Sequence, residues 1–336
     1  MKLFFAALLI AAAPAWAAKN LEMYFIDVEG GQATLIVSPS GQSLLVDTGW
    51  LGYGQRDAKR IAEAAKHAKV KKIDYVVITH YHLDHVGGAA ALTEHIPVGT
   101  FVDHGPNRET GRGADQMNEV YQKALAGGAQ HLVVKPGDTI PVKGLDIRVI
   151  AADGNKIDGA LPGGGQSNPL CSSAQQKSPD PSENARSLGI LMKFNGFRFI
   201  DLGDLTWNKE LEMGCPNSVV GPVDLYLTTH HGLDQSNSPQ LVHALHPKVA
   251  IMNNGSKKGG SPSAWKVIRS SPGLEDLWQL HFAVAGGKET NAPDTFIANV
   301  DDPCEGKAIH VTVQPDGQFT VLNTRNKYSK MYKAGS

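Results

Sequence analysis

One short segment constrains this chain more than any other: residues 80–85 read HYHLDH and directly follow a run of apolar residues. Such a run has the composition of a buried strand. Side chains two residues apart at a strand end point to the same side, so His80 and His82 can bind one metal ion together. If the chain then turns, Asp84 and His85 can face a second ion. Imidazole and carboxylate ligands suit zinc and its first-row neighbours, so the segment predicts a binuclear metal site.

The N-terminus has the pattern of a secretory signal peptide. Lys2 precedes an apolar run over residues 3–13, and the small-residue sequence AWA ends at Ala17. This pattern predicts cleavage after Ala17, so that residues 1–17 are the signal peptide and the protein is periplasmic or secreted. The apolar run is too short to span a bilayer, and no later segment is longer. We therefore expect no membrane association after cleavage.

Charge and cysteine content narrow the classes of partner. The chain has 32 Lys and Arg against 33 Asp and Glu, a formal net charge of −1. Bulk electrostatics therefore gives no reason to expect tight, nonspecific binding of nucleic acid. Of the three cysteines, Cys171 and Cys215 lie in loops rich in Gly, Pro and Ser, which makes them the predicted disulfide pair in an oxidising compartment. Cys304 would be left over.

The pattern of apolar runs predicts one domain over residues 18–326. Short strands at the start read as an antiparallel meander, and later strands end at polar motifs. Residues 155–183 are dense in Gly, Ser, Pro and Gln and predict a long surface loop, which could serve as a lid. Residues 327–336 form a polar tail that is expected to fray. The sequence leaves the oligomeric state open.

The segment THYHLDHVGG, residues 79–88, resembles the H-x-H-x-D-H signature of the metallo-β-lactamase superfamily. Three supporting motifs stand in the family's order: DTG at 47–49 precedes it, GD at 203–204 follows, and HHG at 230–232 comes later. The resemblance implies an α/β fold, the four-layer αβ/βα sandwich, with the metals at the strand ends. It also implies a metal-dependent hydrolase.

The same resemblance implies a role for each matching residue. In this assignment His80 and His82 hold the first ion, Asp204 bridges the two ions, and Asp47 orients ligands from behind through hydrogen bonds. The second ion is held by the remaining ligands of the signature together with a histidine after a later strand. The implied metal ligands are His80, His82, Asp84, His85, Asn184, Asp204 and His230.

One ligand position departs from the family pattern. Many members place a histidine about twenty residues before the bridging aspartate, where this chain has Asn184. An amide oxygen is a neutral and harder ligand than imidazole, so it should weaken the first site for zinc and make manganese more competitive. His104, after the predicted strand over 98–103, is the alternative ligand for this position.

The tandem histidines His230 and His231 raise a separate choice. At a strand end they should point to opposite sides, so only one would meet the metal. We assign His230 as the ligand and His231 as a contact to substrate or a proton donor.

The predicted mechanism is hydrolysis by a metal-activated water, with Asp84, Asp204 and His231 as the catalytic residues. The phrases FIDV at 25–28 and ENARSL at 183–188 resemble the metallo-β-lactamase-like domain of DNA-uptake competence proteins. That resemblance favours a phosphodiester substrate, a nucleic acid or a nucleotide. A small-molecule β-lactam or lactone is the alternative substrate. A metal-containing binding protein without catalysis is the alternative of another class.

Overall fold

The computed structural model describes residues 19–335, which form two mixed β-sheets with helices on their outer faces. The predicted signal peptide, residues 1–17, lies outside the described residues. The helices are α1 Arg56–His67, α2 Ala89–His95, α3 Arg112–Leu125, α4 Trp207–Gly214, α5 Pro239–Leu245 and α6 Pro262–Arg269. The strands are β1 Leu21–Phe25, β2 Thr34–Val37, β3 Ser43–Val46, β4 Ile73–Val77, β5 Val98–Asp103, β6 Gln130–Val133, β7 Asp146–Ala152, β8 Asn155–Lys156, β9 Gly189–Phe194, β10 Phe197–Asp201, β11 Leu225–Leu227, β12 Val249–Met252, β13 Asp276–His281, β14 Ile297–Asn299, β15 Ile309–Val313, β16 Gln318–Asn323 and β17 Ser329–Lys333.

Each sheet has an antiparallel part and a parallel part. The nine-stranded sheet has the order β17-β16-β15-β1-β2-β3-β4-β5-β6, and its strands from β3 to β6 are parallel. The eight-stranded sheet has the order β14-β13-β12-β11-β10-β9-β7-β8, and its strands from β10 to β14 are parallel. The predicted meander is present as β1, β2 and β3. Parallel strands end at a common edge, so residues that follow β4, β10 and β11 can meet there.

Three layers of apolar side chains hold these elements together. Phe25 and Val46 of the first sheet share a buried cluster with Phe199 and Ile251 of the second. A second cluster joins the outer face of the first sheet to α1, α2 and α3, and a third joins the second sheet to α4, α5 and α6. Helix α1 shows why: Ala58, Ile61 and Ala65 recur at helical spacing and are buried. This arrangement confirms the predicted four-layer αβ/βα sandwich.

The predicted surface loop over 155–183 is attached to the body of the protein. It contains β8 and a 3₁₀ helix over Pro169–Ser173. Cys171 in that helix forms a disulfide with Cys215, which directly follows α4, and so confirms the predicted pair. The loop therefore has a fixed anchor beside the second sheet.

The polar tail differs from the expectation of a frayed end. Residues Ser329–Lys333 form β17, the edge strand of the nine-stranded sheet, paired with β16. The Tyr332 ring is buried and stacks on Phe319 with a centroid separation of 5.2 Å. Lys330 forms an ion pair with Asp276. Tyr332 packs inward although the segment is rich in polar residues, and composition alone did not predict the strand.

Candidate metal centre

The signature segment leaves β4 and packs tightly against the DTG motif. The backbone N–H of Thr48 donates to the His85 carbonyl at 2.8 Å. A Cβ atom on Gly87 would lie 2.0 Å from the Leu83 carbonyl oxygen, and one on Gly88 would lie 2.1 Å from the Thr48 carbonyl oxygen. Only glycine fits such close approaches. The two motifs therefore interlock, and this fixes the position of the histidines between them.

Four side chains at the sheet edge form what we call the Asp84 cluster: Asp84, His85, Asp204 and His231. Their candidate ligand atoms all lie within 4.8 Å of one another, and all four residues are buried. His85 Nε2 lies 3.2 Å from an oxygen of Asp84 and 3.2 Å from Asp204 Oδ2. His231 Nε2 lies 3.2 Å from Asp84 Oδ2 and 3.4 Å from Asp204 Oδ1.

A second group, which we call the His80 cluster, consists of three histidines and the same aspartate: His80, His82, His230 and Asp204. His80 Nε2 lies 3.0 Å from His82 Nδ1 and 3.9 Å from Asp204 Oδ2. His230 Nε2 lies 3.4 Å from the same Asp204 oxygen. The predicted bridging residue therefore lies between two groups of histidines.

The structure places His231, and not the predicted His230, in the Asp84 cluster. β11 ends at Leu227, and Thr229–Gly232 is a turn in which both histidines have left-handed backbone angles, with φ of 53° and 54°. Alternation of side chains requires extended backbone, so it does not apply here. Both imidazoles contact Asp204. His231 joins the Asp84 cluster, whereas His230 faces the His80 side.

Asn184 and His104 are the two candidates for the ligand position that departs from the family pattern, and they have different surroundings. Asn184 lies in the 3₁₀ turn Glu183–Arg186, and its Oδ1 is buried without a hydrogen-bond partner among the described residues. His104 Nε2 contacts the buried Glu183 carboxylate at 3.0 Å, and its Nδ1 is also buried without a hydrogen-bond partner in the described part of the chain. Because a buried acceptor without a partner is costly, the Asn184 oxygen fits a role as a metal ligand.

Each cluster has an outer carboxylate. Asp47 Oδ2 lies 2.7 Å from His85 Nδ1 and also accepts the Thr79 hydroxyl, which agrees with the orienting role expected for Asp47. On the other side Glu109 Oε1 lies 3.1 Å from His82 Nε2. A carboxylate at the far nitrogen of a histidine fixes its tautomer and leaves the near nitrogen free to bind metal.

The electrostatics of the clusters fit a divalent cation. Burial, with the neighbouring His85 and His82, holds the pKa of His80 well below its usual range, so the imidazole is neutral. Burial alone would raise the pKa of the Asp204 carboxyl, but the surrounding histidines hold it well below its usual range. The neutral His80 and the ionised Asp204 are in the protonation states that a metal requires of these two ligands. Asp204 Oδ1, buried and without a hydrogen bond within residues 19–335, also fits a ligand.

A bound ion would replace the proton on His85. Burial alone would lower its pKa, but Asp204, Asp84 and Asp47 raise the pKa of this imidazole well above its usual value. Without metal, the proton on His85 therefore compensates the three carboxylates. A divalent ion would take over that compensation and release the proton.

Sequence reasoning missed several residues that surround the centre. Lys258, in the loop after β12, forms an ion pair with Asp84 and lies 4.9 Å from the centre of the Trp50 ring. Glu109 arrives from the loop after β5. Neither loop has a periodic pattern, and only the doubled lysine at 257–258 could have drawn attention.

Comparisons with known proteins agree with this geometry. Residues 26–169 match the model of the metallo-beta-lactamase superfamily. The fold and the paired clusters define an αβ/βα protein with a candidate binuclear metal centre, and the matched segment contains the whole H-x-H-x-D-H signature. Residues 26–169 therefore match the metallo-β-lactamase superfamily, which supports the family predicted from the motifs.

Similar proteins extend the match without fixing the substrate. The chain is 26% identical over 250 residues to ComE operon protein 3 of Bacillus subtilis, covering 70% of this chain and 28% of that protein. It is 30% identical over 118 residues to a hydroxyacylglutathione hydrolase of Erwinia tasmaniensis, covering 35% of this chain and 37% of that protein. The chain thus spans about a third or less of these curated relatives. The hydrolase name of the second relative agrees with the predicted enzyme class.

Among solved structures, the metallo-β-lactamase fold protein YhfI from Bacillus subtilis is similar to this chain with a TM-score of 0.46 and 10% identity. The match covers 77% of this chain and 96% of that one.

Proposed function

We propose that this protein is a metal-dependent hydrolase of phosphodiesters, acting on a nucleic acid or a nucleotide. The Asp84 and His80 clusters would hold two divalent ions, zinc or manganese, with Asp204 between them. Such a pair lowers the pKa of bound water from about 15.7 to about 7 and stabilises negative charge that develops on the reacting oxygens.

The protein's own residues would supply orientation. Asp84 and Asp204 are ionised, so each can accept the hydrogen bond that aims an attacking water. Because His231 lies in the Asp84 cluster, we propose it as a ligand in place of its predicted role as proton donor. The second nitrogen of His231 is buried and has no partner in the described part of the chain.

The observation that carries the choice of substrate is Lys258. Its ammonium group contacts Asp84 at the edge of the centre, and its side chain is 30% exposed, so it can reach both the cluster and a bound molecule. Trp50 lies against the ammonium and limits where it can point. A phosphodiester keeps its negative charge throughout the reaction, whereas a lactone has none. A fixed cation beside the metals therefore favours the phosphodiester over a neutral lactone.

A second cation lines the neighbouring cavity. This cavity of 560 Å³ is bounded by Asn184, Lys177 and Trp207. The Lys177 ammonium lies 3.8 Å from the Trp207 ring centre. An aromatic face and a cation beside a candidate ligand suit a nucleotide, whose base can stack while its phosphate is held.

The first test is hydrolysis of bis(p-nitrophenyl) phosphate by the chain from residue 18 onward, reconstituted separately with zinc and with manganese. We expect turnover that is lost on chelation and in His82→Ala. A metal-loaded protein without turnover would contradict the phosphodiester proposal. β-Lactams and lactones would then be assayed, and inactivity on these as well would favour a binding protein.

The role of Lys258 has a matched control in the same loop. Lys257 is 81% exposed and pairs with Asp302, away from the centre. We expect Lys258→Met to lower kcat/KM for the phosphodiester by about 10- to 100-fold, the loss of one hydrogen bond to a charged group. Lys257→Met should leave it unchanged. Equal values for the two variants would remove Lys258 from the site while leaving metal-dependent hydrolysis intact.

We also propose that the protein is exported. The Cys171–Cys215 disulfide supports this, because disulfides persist in oxidising compartments. Within residues 19–335 no helix is long and apolar enough to cross a membrane. Fractionation of cells that express the full chain, with N-terminal sequencing of the product, tests cleavage after Ala17. An uncleaved cytoplasmic product would contradict export.

A further inference from the structure

A second group of metal-binding side chain types lies outside the centre already described. Asp27, His281 and Cys304 have candidate ligand atoms within 4.8 Å of one another. His281 Nε2 lies 2.7 Å from Asp27 Oδ1, and Cys304 Sγ lies 3.2 Å from Asp27 Oδ2. A Glu29 oxygen lies 3.6 Å from the same sulfur. We call these four residues the Cys304 cluster.

The donor set is that of a zinc-class cation. Imidazole, carboxylate and thiolate are all zinc ligands, with bonds of about 2.0 to 2.3 Å that place neighbouring ligand atoms about 3.3 to 3.7 Å apart. The sulfur distances to Asp27 and Glu29 are close to this range. The Asp27–His281 hydrogen bond would have to lengthen, by less than about 1 Å.

The Cys304 cluster is largely buried, and its members come from different parts of the fold. Asp27 is fully buried and His281 is 3% exposed, while Cys304 is partly exposed and leaves a path for an ion to enter. The members come from separate elements: Asp27 follows β1 of the first sheet, His281 ends β13 of the second, and Cys304 lies between β14 and β15. An ion held here would join the two sheets.

Arg60 is the group that a cation would have to accommodate. Its guanidinium lies 3.1 Å from Asp27, 3.2 Å from Glu29 and 3.7 Å from Cys304 Sγ. It also donates to the Asp27 carbonyl, a contact that does not depend on the carboxylate. Arg56 lies 2.7 Å from the other oxygen of Glu29 and 2.6 Å from Asp57. With these two residues counted, the three carboxylates and a thiolate sum to four negative charges, which a divalent ion, Arg56 and Arg60 together neutralise.

We propose that the Cys304 cluster binds one divalent cation of the zinc class, independently of the hydrolytic centre. The ion is structural, because its ligands tie the two sheets together. The proposal does not depend on the proposed phosphodiesterase activity.

Cobalt(II) gives a direct test, because a thiolate bound to cobalt has a charge-transfer band in the near ultraviolet. Neither the Asp84 nor the His80 cluster contains sulfur, and Cys171 and Cys215 are consumed in the disulfide. A thiolate band in the oxidised, folded chain therefore reports Cys304. We expect the band in the wild type and in His82→Ala, and its loss in Cys304→Ser.

Metal analysis of the zinc-loaded proteins supplies the second readout. We expect Cys304→Ser to bind one equivalent fewer than the wild type, with circular dichroism unchanged because serine keeps a donor to Asp27. His281→Gln should behave in the same way. The proposal is overturned if the wild type lacks the band at saturating cobalt, or if it binds no more zinc than Cys304→Ser. Either result would leave an arginine-neutralised hydrogen-bond network.

Discussion

The two clusters that share Asp204 differ in how completely they are buried. In the Asp84 cluster the side chains of His85 and His231 are both 0% exposed. In the His80 cluster the His82 side chain is 28% exposed, and its partner Glu109 is 32% exposed. Water can stabilise an exposed cluster without metal, but it cannot reach a buried one. We therefore expect the Asp84 cluster to bind its ion more tightly.

The largest expected effect comes from removing one histidine on each side. His231→Ala should lower the affinity of the tighter site by more than about 100-fold, because removing a ligand should cost more than the 10- to 100-fold lost with an outer partner. His82→Ala should mainly affect the weaker site. Zinc titration of both variants against a chromophoric chelator measures this. If His82→Ala loses the tighter ion instead, burial does not set the order of affinities.

The outer carboxylates offer the next test. Asp47→Asn places an amide against His85 Nδ1, so the imidazole proton moves to Nε2 and blocks the nitrogen that faces the cluster. We expect a 10- to 100-fold loss of metal affinity. Glu109→Gln keeps an oxygen acceptor for His82 Nε2, so it should cost less than about tenfold. Similar losses in the two variants would show that the amide does not alter the His85 tautomer.

The pKa of Asp201 reports how strongly the Asp84 side of the centre is buried. Burial, and then the nearby Asp47, raise the pKa of Asp201 to about 7 against backbone and Gln32 hydrogen bonds that lower it. The folded protein thus keeps a proton that the unfolded chain releases, so stability falls as pH rises from about 4 to about 7.

Asp201→Asn removes this titration and keeps an oxygen acceptor for the Gly203 N–H. Between about pH 5.5 and about pH 8, the wild type should lose up to about 2 kcal/mol more unfolding free energy than the variant. Urea unfolding of the chelated proteins at both pH values gives the comparison. Parallel curves would mean that Asp201 is ionised throughout.

The smallest expected effect is a gain in zinc affinity. Asn184→His supplies an imidazole where the structure has a buried amide oxygen without a hydrogen-bond partner among the described residues. It should raise zinc affinity at the His80 cluster by about tenfold and weaken the preference for manganese. Metal competition between zinc and manganese measures the change. An unchanged preference would mean that residue 184 does not reach the ion.

Local sequence order was enough to predict much of the centre. His80, His82, Asp84 and His85 lie in one interlocked turn, so their proximity follows from the chain itself. Asp204 was predicted from the family resemblance, through the GD motif at 203–204. The structure confirms the resulting contacts, although their roles as ligands remain predictions.

The errors and omissions have a common cause in backbone that is not regular. The His230–His231 assignment used strand alternation, which fails where both residues have positive φ. Lys258 and Glu109 reach the centre from loops that carry no periodic signal. Their positions depend on tertiary packing, which spacing along the sequence does not encode.

The disulfide holds the loop over 155–183 in place, but it does not hold the side chains of the two metal clusters. The Cys171–Cys215 bond ties the loop to the end of α4, and the same loop carries Lys177, whose backbone pairs with Asn208 in α4. The ligands of both clusters lie instead at the ends of sheet strands and in the adjoining turns. Opening the bond with a thiol reductant should therefore loosen the wall that faces substrate while the ion-binding side chains stay in place. Substrate selection, and not metal content, would then be the property that responds to the redox state of the surroundings.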